Sequence, residues 1–168
     1  MSDLKTKLEA ALASLHREGG TGNRLVVSRG PAWFVLSAAM GDAQARCVAA
    51  TQKHLGDALK ISPEGIIALR MADFAKAPGD RALSRKVNIA TDAHRAELAG
   101  LVLSWFAAVF GLDAEEETDL ALKLGDAVVL DNEALHQAIR VLAKERSPGA
   151  RQALYRALLQ TELQLVVD

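Results

Sequence analysis

The stretch RLVVSRGPAWFVLSAAMG, residues 24–41, decides how the rest of this chain must be arranged. Two dense apolar runs, Leu25-Val26-Val27 and Trp33-Phe34-Val35-Leu36, flank the turn signal Gly30-Pro31. Glycine and proline at that place end one strand and start another, so Arg24–Arg29 and Ala32–Ala39 read as a hairpin. The two runs do not alternate cleanly between apolar and polar, which is the pattern of strands covered on both faces. Helices can cover one face. The other must meet more of this chain or a partner.

Before the hairpin, Leu4, Leu8, Leu12 and Leu15 recur at helical spacing, with Lys5, Lys7, Glu9, Arg17 and Glu18 elsewhere on the wheel. Ser2 or Asp3 can cap that helix, and Gly19-Gly20 stop it. After the hairpin, Gly41-Asp42 marks another turn. Residues 45–55 fit either a strand or a helical turn, and the recurring turn spacing favours a strand through Cys47-Val48-Ala49-Ala50. Ser62-Pro63-Glu64 starts a helix: serine accepts from an orphan amide, proline loses nothing at the first position, and glutamate suits the positive end of the dipole. That helix carries Ile66, Ile67, Leu69 and Phe74 and ends before Pro78-Gly79. Leu83–Ala90 reads as an edge strand because its charges would blunt an edge. Thr91-Asp92 caps a long helix with an apolar stripe at 98, 101, 102, 105, 106, 109 and 110, which Gly111 ends. The expected fold is α+β, a small antiparallel sheet flanked by helices.

Asp113, Glu115, Glu116, Glu117 and Asp119 crowd into seven residues and mark the expected division. On that reading 1–113 is one module. Residues 114–168 are a helical extension that ends in a strand, Leu163–Val167, and either stand apart or complete the same core.

The chain has 168 residues, half of them apolar and 24% charged, with a formal net charge of −1. That balance supplies no field to attract nucleic acid or an anionic membrane. A lone cysteine, Cys47, excludes an internal disulfide and fits a reducing, cytoplasmic setting. The first residues lack the apolar run of a signal peptide, and no segment nears the ~20 apolar residues of a membrane span.

No motif carries chemistry. His16, His54, His94 and His136 are dispersed, and only His94 and Glu97 share i, i+3 spacing, short of the three or four ligands of a zinc site. Gly19-Gly20-Thr21-Gly22 follows a helix and lacks the lysine of a phosphate loop. Cys47 has no local base to activate it. The acidic run lacks the glycine and alternating oxygens of a calcium loop. Arg81, Arg85 and Lys86 have no interleaved aromatics for nucleic-acid stacking. The chain is therefore expected to be noncatalytic, with no cofactor and no metal.

With these segments laid out, residues 24–113 resemble the type III secretion chaperone-like and YbjN-like superfamily of bacterial peptide-binding modules. The resemblance lies in RLVVSRG and AWFVLSAAMG, then ARCVAATQKHL (45–55), LKISPEGIIALRMADFAKAP (59–78) and DAHRAELAGLVLSWFAAVFG (92–111). Relatives carry a glycine before the aromatic of the segment 59–78; Ala72-Asp73 stand there before Phe74. Residues 132–168, through Tyr155, Leu158, Leu159, Leu163 and Val166, are similar to the opening of SseB-like domains. The resemblance implies a module that holds an extended peptide or protein segment, chaperone-like and homodimeric, with secreted proteins as the expected clients. A spare apolar sheet surface suits that role. The expected contact residues are Leu25, Val27, Trp33 and Val35, with Leu163, Leu165 and Val167 of the terminal strand; burial in the core is the competing reading for each. A second reading is a regulatory or immunity-type protein that docks one folded partner through the acidic run and the C-terminal helices. A small enzyme is the third.

Overall fold

A computed structural model describes residues 2–79 and 82–126, together with Arg140 and Gln152. The chain divides into two compact units, Met1–Gly125 and Asp126–Asp168. In the second, Arg140 and Gln152 are helical and exposed. The expected strand Leu163–Val167 and the rest of the expected helical extension lie outside the described residues.

The first unit is α+β. Its elements are α1 (Ser2–Arg17), β1 (Asn23–Arg29), β2 (Ala32–Ala38), β3 (Gln44–Ala49), α2 (Gln52–Leu55), α3 (Pro63–Met71), β4 (Ala75–Lys76), β5 (Leu83–Asn88), α4 (Asp92–Phe110) and β6 (Thr118–Lys123). The strands form one antiparallel sheet in the order β4-β5-β3-β2-β1-β6. The hairpin pairs Arg29 with Ala32 across a two-residue turn. Gly30 supplies the positive φ of 50° that the turn requires, and Pro31 presets the next φ.

One sheet face carries Leu25, Val27, Phe34, Leu36, Cys47 and Ala49, all fully buried. Against it lie Leu8, Leu12 and Leu15 of α1 and the inward side of α4, Leu98, Ala99, Val102, Trp105, Phe106, Val109 and Phe110. Phe34 is the hub of this layer, with Phe74, Trp105, Phe106 and Phe110 at centroid distances of 5.1–6.0 Å. α4 has the ends foreseen for it: the Thr91 hydroxyl accepts from the His94 amide at 3.2 Å, and Gly111 closes it at φ 66°.

Buried polar groups fasten the layers. The Asn23 amide nitrogen donates to the Leu15 and Glu18 carbonyls, and its oxygen accepts from the Gly20 and Gly125 amides. One side chain thus closes the end of α1, starts β1 and holds the chain that leaves β6. Arg29, 2% exposed, donates to Thr118 Oγ1 at 2.7 Å and to the Asp113 carbonyl at 3.0 Å, with its guanidinium over the Phe106 ring. At the other end of α4, Arg95 donates to the Ile89 carbonyl and to Asp92. That hydrogen bond, with the charges of Arg95 and Arg17, holds the Asp92 carboxyl below its ordinary range.

The strand favoured through Cys47-Val48-Ala49-Ala50 is present as β3, which ends at Ala49, and the Thr51 amide donates to His54 Nδ1 at 3.1 Å to begin the short α2. Other expectations need correction. The two-residue β4 covers β5 at Leu83 and Ser84, while no further described strand pairs outside the charged Arg85 and Lys86. The compact unit runs past the division expected at 113, because β6 joins the sheet beside β1. α3 also ends early, at Met71, so Phe74 stands beyond it and β4 follows where the helix was expected; within α3 Leu69 is buried, but Ile66 and Ile67 are 46% and 58% exposed. Gly65 is the cause. A Cβ built there would stand 2.1 Å from the Val109 carbonyl oxygen, so α3 meets α4 backbone to backbone at Gly65 and turns its isoleucines out. In α4, Leu101 at the margin of the stripe is likewise 39% exposed.

Asp73 takes φ 61°, the left-handed region, just before Phe74 turns into β4. A short polar side chain tolerates this geometry better than most.

Substituting Gly65→Ala should destabilise the fold by about 1–3 kcal/mol despite alanine's better helix propensity, because the two backbones must part. A lower urea midpoint at unchanged slope would show this; an unchanged or higher midpoint would rule out the close approach.

Candidate functional site

The opposite sheet face follows from the registers. Side chains directly opposite in an antiparallel pair share a face, and successive residues alternate. One row across five strands is Ser84–Val48–Val35–Val26–Ala121. The next is Lys86–Arg46–Ser37–Arg24–Lys123, and on the far side of the valines lies Trp33–Ser28–Asp119. At the ~4.8 Å spacing of paired strands, each five-member row spans about 19 Å. A band of small apolar groups is thus bordered by a band of four cations. Lys86, Arg46, Arg24 and Lys123 are exposed, Val26 and Val48 are partly buried, and Val35 is 9% exposed but outside the main core cluster. Trp33 is partly buried, and the His54 ring meets it edge-on at 5.0 Å.

The expected contact residues separate on this geometry. Leu25 and Val27 are fully buried against α1 and α4, so the core reading holds for both and they are corrected as surface contacts. The doublet Val26-Val27 misled, since one valine faces each way. Trp33 and Val35 share the opposite face. Leu163, Leu165 and Val167 lie outside the described residues. The sequence reading missed the cation row, because Arg24, Arg46, Lys86 and Lys123 become neighbours only through strand pairing. It also missed the outward side of α3, where Met71 is 80% exposed beside Ile67.

Other places hold less. A cavity of about 440 Å³ lies between α1 and α4, over Arg29, with Lys5, Leu103, Ser104 and Ala107 in its walls. A groove of about 280 Å³ runs along β5 past Arg85, Lys86, His94 and Glu97. Arg85 donates to the Ala72 carbonyl at 2.6 Å and lies over Trp105 at 5.5 Å, while its buried Nε has no partner among the described residues. His94 Nδ1 lies 2.9 Å from Thr91 Oγ1 and His16 Nδ1 lies 2.8 Å from the Asp42 carbonyl, so both serve local structure. Among the described residues, no three histidine, cysteine or acidic side chains cluster as metal ligands. Nor is any described helix long and apolar enough to cross a membrane. The acids Asp113, Glu115, Glu116, Glu117 and Asp119 are exposed.

Comparison with family models, curated proteins and solved structures finds no match to this chain.

Cys47 sits on the core face opposite Arg85, and burial pushes its thiol up to about 12, the Arg85 charge opposing only in part. A neutral buried thiol is a poor nucleophile. Cys47 should therefore resist a thiol-reactive disulfide reagent at pH 8 in the folded protein and react fully in denaturant; rapid labelling of the native chain would disprove this placement.

Proposed function

We propose that this protein is a noncatalytic peptide- or protein-binding module, chaperone-like and working in the cytoplasm, that receives a polypeptide segment on the sheet face opposite α1 and α4. The observation that carries the reading is the row Val48–Val35–Val26–Ala121 beside the cations of Arg46, Arg24 and Lys123. An extended or amphipathic segment gains apolar contact from the valines and charge pairing from the basic row. A segment with alternating apolar and acidic residues matches both bands at once. Trp33 sets the far margin, where a large flat side chain adds contact area at low entropic cost. The cytoplasmic setting rests on the single cysteine, which needs no oxidising compartment.

The test uses the full chain and a fluorescein-labelled, reduced and alkylated polypeptide rich in acidic and apolar residues. Anisotropy should report saturable binding that weakens with salt. Val26→Glu combined with Val48→Glu should weaken binding at least about tenfold, equivalent to ~1.4 kcal/mol. Circular dichroism must show the same fold. Absence of binding by the parent chain, or equal binding by the folded double variant, would overturn the reading.

A further inference from the structure

β6 borders the sheet. Among the described residues it pairs only with β1, so the backbone groups on its outer side meet no other described strand. Such an edge is a template for a further strand. Its sequence is Thr118-Asp119-Leu120-Ala121-Leu122-Lys123, and Leu122 is 39% exposed. The run Asp119 to Lys123 is complementary to itself when reversed: an acid, a leucine, an alanine, a leucine, a base.

We infer that β6 pairs antiparallel with β6 of a second copy about a two-fold axis at Ala121, making one continuous twelve-stranded sheet. Antiparallel partners that keep both sheet faces continuous must sum to an even number. Of those registers, the one in which Asp119 faces Lys123 of the second copy sets opposite charges together at both ends. The same register lays Leu120 against Leu122 of the second copy on the core face and alanine against alanine at the axis.

Three rows then continue across the axis. The apolar row runs Val48–Val35–Val26–Ala121 and back through the second copy in mirrored order. On the core face, the exposed Leu122 gains Leu120 of the second copy as a neighbour. On the opposite face, Lys123 lies beside Arg24 within its own chain, a like-charged cross-strand pair. Like charges directly opposite destabilise a sheet. Neither cation, nor Asp119, has an ion-pair partner among the described residues. The second copy's Asp119 relieves that repulsion, which selects this register and this occupant over a peptide of arbitrary sequence. An isologous contact of this kind closes on itself and leaves no free β6 edge.

Two paired strands of this length bury less than the ~800 Å² per partner of a stable interface, so the dimer is weak and concentration-dependent. Its charged ends are exposed, so salt loosens it. The inference does not depend on the peptide-binding reading, although Lys123 belongs to the cation row of the face as well as to the β6 edge.

The experiment is sedimentation equilibrium of the full chain at loadings from about 10 µM to 1 mM, the range in which so small a contact associates. The mass should climb from 17.9 kDa toward twice that value. Asp119→Lys places lysine against lysine at both ends and should hold the mass at the monomer throughout. Lys123→Asp should do the same by opposing two acids. The double reversal, Asp119→Lys with Lys123→Asp, restores both pairs and should restore dimerisation. Circular dichroism of all three variants separates loss of pairing from loss of folding. A parent chain that stays monomeric, a dimer indifferent to the single reversals, or a folded double variant that stays monomeric would each overturn the proposal. Peptide anisotropy of Val26→Glu with Val48→Glu, which leaves β6 unchanged, reports the face separately.

Discussion

The stacking of Phe34 against four other rings is the contact on which the arrangement of this molecule depends. Phe74, Trp105, Phe106 and Phe110 converge on it from the loop after α3 and from α4. The chain holds only four phenylalanines and two tryptophans, so this one cluster uses most of its bulky rings. Each such pair adds roughly 0.5–1.5 kcal/mol beyond the area it buries. Elsewhere the layer is built of leucine, alanine and valine, which fill space without selecting an orientation. The rings therefore decide which face of β2 receives α4. Once that is set, alternation sends Trp33 and Val35 to the other side.

Around this apolar layer, the long connections are held by polar groups that cannot be left unmatched. Asn23 satisfies four backbone groups from three parts of the chain. Removing it would strand buried amides and carbonyls, at roughly 1–3 kcal/mol for each group left without a partner. Arg29 does for the arrival of β6 what Asn23 does for its departure, reaching the loop after α4 and Thr118. A guanidinium so deeply buried is tolerable because carbonyls, a hydroxyl and the face of Phe106 replace its water. These two side chains explain how a strand distant in sequence comes to lie beside β1.

The functional reading grows from the same geometry. A sheet loaded with helices on one face offers its other face in rows, and here the rows differ in kind: apolar, cationic, then tryptophan and acid. In the proposed reading these rows meet a segment patterned in the same way. Cys47 and the described histidines are spent on packing and local hydrogen bonds. Arg24 and Lys123 stand opposite one another on this face, and Lys123 also lies on the β6 edge.

Much of the local structure was legible because its causes are local. The hairpin follows from Gly30-Pro31 between two apolar runs, α3 from Ser62-Pro63, and α4 from Thr91 and Gly111, each through a backbone preference acting within a few residues. The sidedness was not legible. Leu25 and Val27 pointed inward with Phe34, and Ile66 and Ile67 pointed outward, because Phe34 and Gly65 each set an orientation through a contact with α4. The acidic run looked like a boundary, yet the chain beyond it returns to the sheet, held by the long-range bonds of Arg29 and Asn23. The row of Lys86, Arg46, Arg24 and Lys123 exists in no segment of sequence. What the sequence determined by itself was where each element starts and stops, since capping and turn chemistry are short-ranged. Only the tertiary structure decided which residues share a surface, since strand register and helix approach join residues far apart in the chain.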